Sequence, residues 1–316
     1  MNEIRDLLND LSETGSVVER LAELRDLRPQ DEILRINAES VGKRQSDIRR
    51  KLAEMLDIRH EDVLEYKIER IDDFAYPARA VGATIVAFQE LLTAIFDAIR
   101  SAPKKRYRPS ADNVELSTLG FAAARSGSVV VSLTVPKERL LLVKSHMEIS
   151  LEYATRLLSA QGEGDIKELV PTIGIAAITK AYSWADVSAT FGLDTHVHWG
   201  PFAEALGGVS VSRSEAQSLK NIIEATSEEE YSFHSFKCTL IGFDGDTSYF
   251  HIRTEEGEDI TGNLSDSFVS SGHYTTNLPY TAHVRRATRI RYATGEEKIA
   301  WTLRALEALE QTDFPS

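Results

Sequence analysis

The stretch SFHSFKCTLIGFDGDTSYFHIRTEEGEDITGN, residues 232–263, decides the fold class. Aromatic, β-branched and small apolar residues alternate with polar ones through Ser232–Phe243, Ser248–Arg253 and Glu258–Asn263. Period-two alternation marks strands with one buried face. Asp244-Gly245 and Glu256-Gly257 separate these runs as turn dipeptides, the first predicting a tight hairpin with positive φ at the glycine. Further along, Tyr280–Tyr292 and Lys298–Ala305 repeat the alternation around Thr294-Gly295. Five short strands in roughly 80 residues predict a small antiparallel β-barrel of the SH3 or OB type over 231–316.

Upstream the period changes to that of helices. In 1–75, Ile4, Leu7, Leu8 and Leu11 form one apolar stripe and Val17, Val18, Leu21 and Leu24 a second. Thr14-Gly15-Ser16 is expected to break the two apart, Pro29 to close the second, and a third amphipathic run extends from Ser46 to Ile58. Helices this short need a surface to pack on. In 76–230, Tyr76-Pro77 opens a long helix over Ala78–Arg100, apolar on more than one face. A loop over Ser101–Asn113 and a β-hairpin from Leu116–Ala124 and Ser128–Val135 follow, then helices over Lys137–Ala160, Asp165–Ser183 and Ser214–Thr226. The expectation is an α+β chain: a helical N-terminal region (1–75), a helix-rich central domain with one hairpin (76–230), and the barrel (231–316).

The 316 residues carry a net charge of −13, distributed as −2, −7 and −4 over 1–110, 111–230 and 231–316. A mean field of this sign repels phosphate and anionic lipid, so any polyanion binding has to be local. The one cysteine, Cys238, excludes an intramolecular disulfide framework and multi-cysteine metal sites. Its alternating strand predicts an inward-facing apolar role rather than a nucleophile. The start Met1-Asn2-Glu3-Ile4-Arg5-Asp6 lacks the basic and apolar regions of a secretory signal, and Ala78–Ile99 is interrupted by Arg79, Gln89, Glu90 and Asp97. The expectation is a cytoplasmic protein that does not span a membrane and carries no cofactor. No phosphate loop, dinucleotide glycine fingerprint or nucleophile elbow is present.

Several strings carry possible chemistry. Asp194-Thr195-His196-Val197-His198-Trp199 resembles, over six residues, the first metal motif of the amidohydrolases, in which two imidazoles two residues apart on an extended chain grip one divalent ion. That family supplies its remaining ligands from a (β/α)₈ barrel, for which the residues after His198 are too few. Asp194, His196 and His198 are therefore the candidate metal trio, against the plainer reading of a turn before Pro201. Asp244, Asp246, Ser248 and Glu255 match the spacing of an EF-hand loop, but Tyr249 occupies the position of its bend glycine and the flanks read as strands. Arg139 and His146, seven apart, resemble the Arg–His spacing of HEPN ribonucleases.

Two basic clusters contrast with the acidic whole: Lys43, Arg44, Arg49, Arg50 and Lys51, and the loop Arg100, Lys104, Lys105, Arg106, Tyr107 and Arg108. A basic loop with an interleaved tyrosine suits phosphate contact and base stacking. Arg285, Arg289 and Arg291 fall on one face of a barrel strand, opposite Val284, Ile290 and Tyr292. Such a row either tracks a nucleic-acid backbone or protects a strand from pairing with another sheet. The leading expectation is a non-catalytic, self-associating interaction protein with the barrel as its recognition module, partnered by another protein or by a second copy. The alternatives are a nucleic-acid-binding protein using the 100–108 loop and the barrel arginines, and a metal-dependent hydrolase centred on His196 and His198.

Overall fold

The computed structural model describes residues 2–59, 61–69, 76–125, 129–136, 144–200, 207–269 and 274–308. The chain divides into two compact units, Met1–Thr226 and Ser227–Ser316. Helices and two separate sheets make it α+β.

The first unit begins with two long helices, α1 (Asn2–Leu27) and α2 (Glu32–Arg59). The expected break at Thr14–Ser16 does not occur. Thr14 Oγ1 donates back to the Asp10 and Leu11 carbonyls and Ser16 Oγ to the Glu13 carbonyl, so the polar triplet is absorbed into the helix. Pro29 does fall just beyond the end of α1. The all-helical expectation for 1–75 is also corrected at β1 (Glu61–Glu69), which follows α2 directly. Its Leu64, Tyr66 and Ile68 are fully buried at alternate positions, the strand period overlooked within a helical stretch.

Next come α3 (Ala78–Arg100), α4 (Ala111–Ser117), β2 (Gly120–Arg125), β3 (Val129–Pro136), α5 (His146–Leu158), α6 (Glu163–Phe191), β4 (Asp194–Gly200), β5 (Gly207–Val211) and α7 (Arg213–Ala225). The hairpin β2–β3 is present, but it is part of a five-stranded sheet in the order β2-β3-β1-β4-β5 with every neighbour antiparallel. The expected single hairpin was too small because β1 enters the centre of the sheet from the N-terminal region. The helix expected from Lys137 starts at His146, where Ser145 and Glu148 form a reciprocal capping box. Residues 137–143, Arg139 included, lie outside the described residues.

Helix α3 is long and apolar enough to cross a membrane, and 61% of its apolar window is buried inside the protein. A buried junction ties it to the sheet and to α6: the Tyr66 hydroxyl accepts the Trp184 Nε1–H at 2.8 Å and pairs with Thr84 Oγ1 at 2.8 Å. Complete burial pushes the Tyr66 phenol up to about 12, so it remains a neutral hydrogen-bonding group. Helix α6 is kinked. Pro171 withdraws one N–H and Gly174 takes φ 75°, a conformation that suits glycine. A Cβ at Gly174 would lie 2.5 Å from the Lys104 backbone nitrogen. The kink therefore admits the 101–110 loop, whose Lys104 carbonyl accepts the Ala176 N–H at 2.9 Å.

The second unit comprises β6 (Ser227–Asp244), β7 (Tyr249–Thr254), β8 (Asp259–Leu264), the short helix α8 (Asp266–Val269), β9 (Pro279–Arg291) and β10 (Glu297–Ala308). The strands close in the order β10-β8-β7-β6-β9 through the β9–β10 ladder. The sheet is not wholly antiparallel as expected, because β8 and β10 run parallel at Asn263–Thr302 and Leu264–Leu303. Gly262 permits that seam, since a Cβ there would lie 2.2 Å from the Trp301 carbonyl oxygen. The interior is filled by Leu240, Phe250, Ile252, Val284 and Leu303, with Cys238 among them. Burial pushes the Cys238 thiol up to about 11, consistent with an apolar role. At the β6–β7 hairpin Asp244 Oδ1 accepts the Asp246 and Thr247 N–H groups, a side-chain-stabilised turn. The positive φ falls on Ser248, at 53°, and not on Gly245 as expected.

Candidate functional site

Beyond the barrel proper, β6, β9 and β10 continue as a three-stranded ribbon. Residues directly opposite in antiparallel ladders share a face. One face of the ribbon carries Phe233, Arg285 and Thr302 in one rung, then Tyr231, Ala287 and Ala300, then Glu229, Arg289 and Lys298, then Ser227 and Arg291. Arg304 sits where the β9–β10 register shifts between Leu303 and Ala305. The opposite face holds Val284, Ile290 and Leu303, all buried. The regular 3.3 Å spacing of strand residues makes the Phe233-to-Ser227 span roughly 20 Å.

The aromatics on this face are open: Phe233 is 65% exposed and Tyr231 55%. Each lies beneath a guanidinium, Arg285 at 5.2 Å from the Tyr231 ring and Arg304 at 5.2 Å from the Phe233 ring. Of the eight Lys and Arg residues in 227–316, six stand on β9 and β10: Arg285, Arg286, Arg289, Arg291, Lys298 and Arg304. Among the described residues none of the five arginines has a carboxylate within ion-pair distance. In a chain of net −13 that is a local inversion of sign. Glu229 on the face and Asp266 in the groove beside it are acidic exceptions, and the Glu229 hydrogen bond raises the Tyr231 phenol.

A groove of about 640 Å³ adjoins this face, lined by Phe233, Arg285, Thr302, Arg304, Asn263 and Ser265 among others. A second recess of about 390 Å³ shares Phe233 and Arg304 with it and includes Ser235 and His283. Ser235 Oγ and His283 Nδ1 are 2.8 Å apart, and His283 Nε2 faces Glu307 at 3.3 Å. The outer surface of β7 and β8 differs, because its one arginine, Arg253, is already compensated. Arg253 and His251 both engage the Asp259 carboxylate, and these contacts hold Asp259 below the usual range, Arg253 most strongly.

Part of the 100–108 loop is committed to the interior. Lys104 Nζ lies 2.6 Å from the Asp97 carboxylate, whose side chain is 5% exposed, and also donates to the Arg108 carbonyl at 3.0 Å. Asp97 accepts the Asn113 amide at 2.7 Å and the Ser110 N–H at 3.4 Å. Burial pushes the Asp97 carboxyl up, but the Lys104 hydrogen bond, the Asn113 amide and the Ser110 N–H outweigh it and hold it below the usual range. The Tyr107 ring is covered by the Lys180 ammonium at 4.2 Å, which occupies a face a base would need. Arg100 donates to Asn113 at 2.9 Å. Lys105, Arg106 and Arg108 are the exposed members of the loop.

Asp194, His196 and His198 share one face of β4, as alternate residues must, but they are engaged separately. The Asp194 carboxylate accepts the Arg213 N–H at 2.7 Å. His196 bridges Ser210 Oγ at 2.9 Å and Glu69 at 3.3 Å, across the neighbouring strands β5 and β1. Glu69 is held below its usual range first by the Lys67 hydrogen bond, with His196 adding to it. His198 is exposed, opposite Glu65 and Gly208. Among the described residues no three His, Cys, Asp or Glu side chains converge as a metal would require.

Tyr231, Phe233, Lys298 and Arg304 were absent from the sequence-level site. Tyr231 and Phe233 sit at alternate positions of a strand and pass there as core residues. Only the register that makes β6 longer than the barrel reveals them as exposed. Compared with known proteins, the chain matches no family model, no curated protein and no solved structure.

Proposed function

We propose that this chain is a non-catalytic recognition protein whose C-terminal unit is an OB-type barrel that binds single-stranded nucleic acid. The observation that carries the reading is the pair of exposed rings, Tyr231 and Phe233, each under an arginine free of carboxylate partners among the described residues. Aromatic faces stack bases of any sequence, and guanidiniums hold the backbone phosphates. The strand order supports the OB assignment: β9-β6-β7-β8 is the fourth-first-second-third arrangement of a Greek key, completed by a fifth strand. The patch uses the first, fourth and fifth strands, whereas OB domains commonly bind on the second and third. Here the one arginine of the second and third strands, Arg253, is neutralised by Asp259, which is consistent with the departure. A ribbon face of roughly 20 Å accommodates three to four nucleotides, a small site of the size one OB module covers.

Fluorescence anisotropy of a labelled oligothymidylate of about 12 nucleotides tests this. With about three phosphates neutralised, log affinity should fall with log salt at a slope of about −2. Phe233→Ala should weaken binding by about 1–3 kcal/mol. Absence of binding at low ionic strength, or equal affinity for the wild type and a Phe233→Ala/Arg285→Ala/Arg304→Ala variant, removes the proposal.

A further inference from the structure

Helices α1 and α2, with 26 and 28 residues, form an antiparallel hairpin about 40 Å long at 1.5 Å per residue. Its two halves differ in what covers them. At the base, Ile4, Leu8 and Leu11 pack with Ile48, Leu52 and Leu56 and bury against Val63 and Ala123. Towards the tip the apolar residues continue without cover: Val17 is 45% exposed, Leu24 38%, Leu27 78%, Ile33 72% and Ile36 54%. Leu24 and Leu27 are three apart, as are Ile33 and Ile36, so each pair shares a helix face beside the connecting turn. Two helices bury one seam between them, occupied here by half-buried Val18, Leu21 and Leu34, and have no second layer for the residues outside it.

We infer that the tip of this hairpin is an interface with a second copy of the chain, two hairpins meeting as a four-helix bundle. Charge selects this occupant. Arg35 is taken up by Glu32 and Glu39 within α2. Arg20, Glu23, Arg25, Asp26 and Arg28 flank the apolar positions of α1, and among the described residues none has an ion-pair partner. Charges of both signs interleaved around an apolar patch oppose any partner of a single sign. They suit the same patch reversed, because a two-fold axis sets each surface against itself and lets cation meet anion. Size agrees. A face two helices wide and about 25 Å long offers on the order of 500 Å² per protomer, so the pair reaches about the 1,000 Å² that a specific interface requires. At that threshold the dimer belongs in the micromolar range.

Sedimentation equilibrium of the full-length protein without nucleic acid, from about 1 to 200 μM to bracket that range, reads this directly and independently of oligonucleotide binding. The wild-type mass should rise from 35.2 kDa towards twice that value. Leu27→Asp/Ile33→Asp should remain at monomer mass across the range, with circular dichroism unchanged and with thermal unfolding unchanged at about 1 μM, where the wild type is itself monomeric, because both side chains are exposed in the monomer. Val86→Asp, at a site 59% exposed on α3, should still dimerise. A wild-type protein that stays monomeric, a double tip variant that dimerises as the wild type does, or a Val86→Asp variant that loses the dimer each overturns the inference.

Discussion

Replacing Asp97 by alanine isolates what holds the 101–110 loop against the body of the first unit. The carboxylate has one ionic and two neutral partners: Lys104 at 2.6 Å, the Asn113 amide at 2.7 Å and the Ser110 N–H at 3.4 Å. Removing it leaves one N–H of the buried Asn113 amide without its acceptor, the other still donating to Ser101 Oγ at 3.1 Å, at a cost of about 1–2 kcal/mol. The Lys104 ammonium is 35% exposed and rehydrates, so its share is that of a screened surface pair, about 0.5–1 kcal/mol. Asp97→Ala should thus lose about 1.5–3 kcal/mol, and Asp97→Asn less, because an acceptor oxygen remains for Asn113. Urea unfolding in a Trp301→Phe background reports on the first unit through Trp184 and Trp199. Lys104→Met should lose about 1–3 kcal/mol in the wild type, because it leaves the buried Asp97 carboxylate without its cation, and close to nothing beside Asp97→Ala, as a coupled pair must. The pH dependence has a definite sign. A carboxyl whose folded pKa is depressed stabilises the fold above its unfolded value near 3.9, and that stability disappears as pH falls through the lower folded value. The gap between wild type and Asp97→Asn should therefore be full at neutral pH and close below about pH 4. An Asp97→Ala variant within about 0.5 kcal/mol of wild type, or an additive Lys104→Met effect, would refute this account of the loop.

Other consequences follow from buried groups elsewhere. Tyr66→Phe removes the hydroxyl that satisfies the Trp184 indole and Thr84, and should destabilise the first unit by about 1–3 kcal/mol in the same urea assay. Gly262→Val forces a side chain into the space held by the Trp301 carbonyl; the parallel seam should open, with loss of about 1–3 kcal/mol or more and broadened amide resonances for Asn263 and Leu303. Cys238 should resist iodoacetamide at pH 8 in the folded protein and react fully in denaturant, because burial raises its thiol to about 11. Rapid alkylation of the native protein would place that thiol outside the barrel core.

The two proposals depend on different surfaces and fail separately. If both hold, the dimer carries two aromatic–arginine faces on one particle, and a long single strand binds more tightly than a short one through the raised effective concentration of the second face. The acidic remainder of the chain then confines the nucleic acid to that face by repelling it elsewhere.

Much of the architecture is determined locally and is therefore readable in the residues themselves. Ala78–Arg100 coincides with its helix because nearly all-round apolarity and the proline before it leave little alternative. The five C-terminal strands fall where alternation and turn residues put them, and Arg285, Arg289 and Arg291 share a face because strand period alone requires it. Partnership is not a local property. Glu61–Glu69 became a central strand because β3 and β4 were available on either side of it. His196 meets Ser210 and Glu69 because its neighbours come from strands distant in sequence. Tyr107 and Lys104 left the candidate nucleic-acid site because α6 bends at Gly174 and brings the loop into contact. Tyr231 and Phe233 entered it because the ribbon extends past the barrel core. Periodicity tells which side of an element is apolar, while only the packing of remote elements decides whether that side is covered, and exposed rings beside unpaired charges are what a ligand meets.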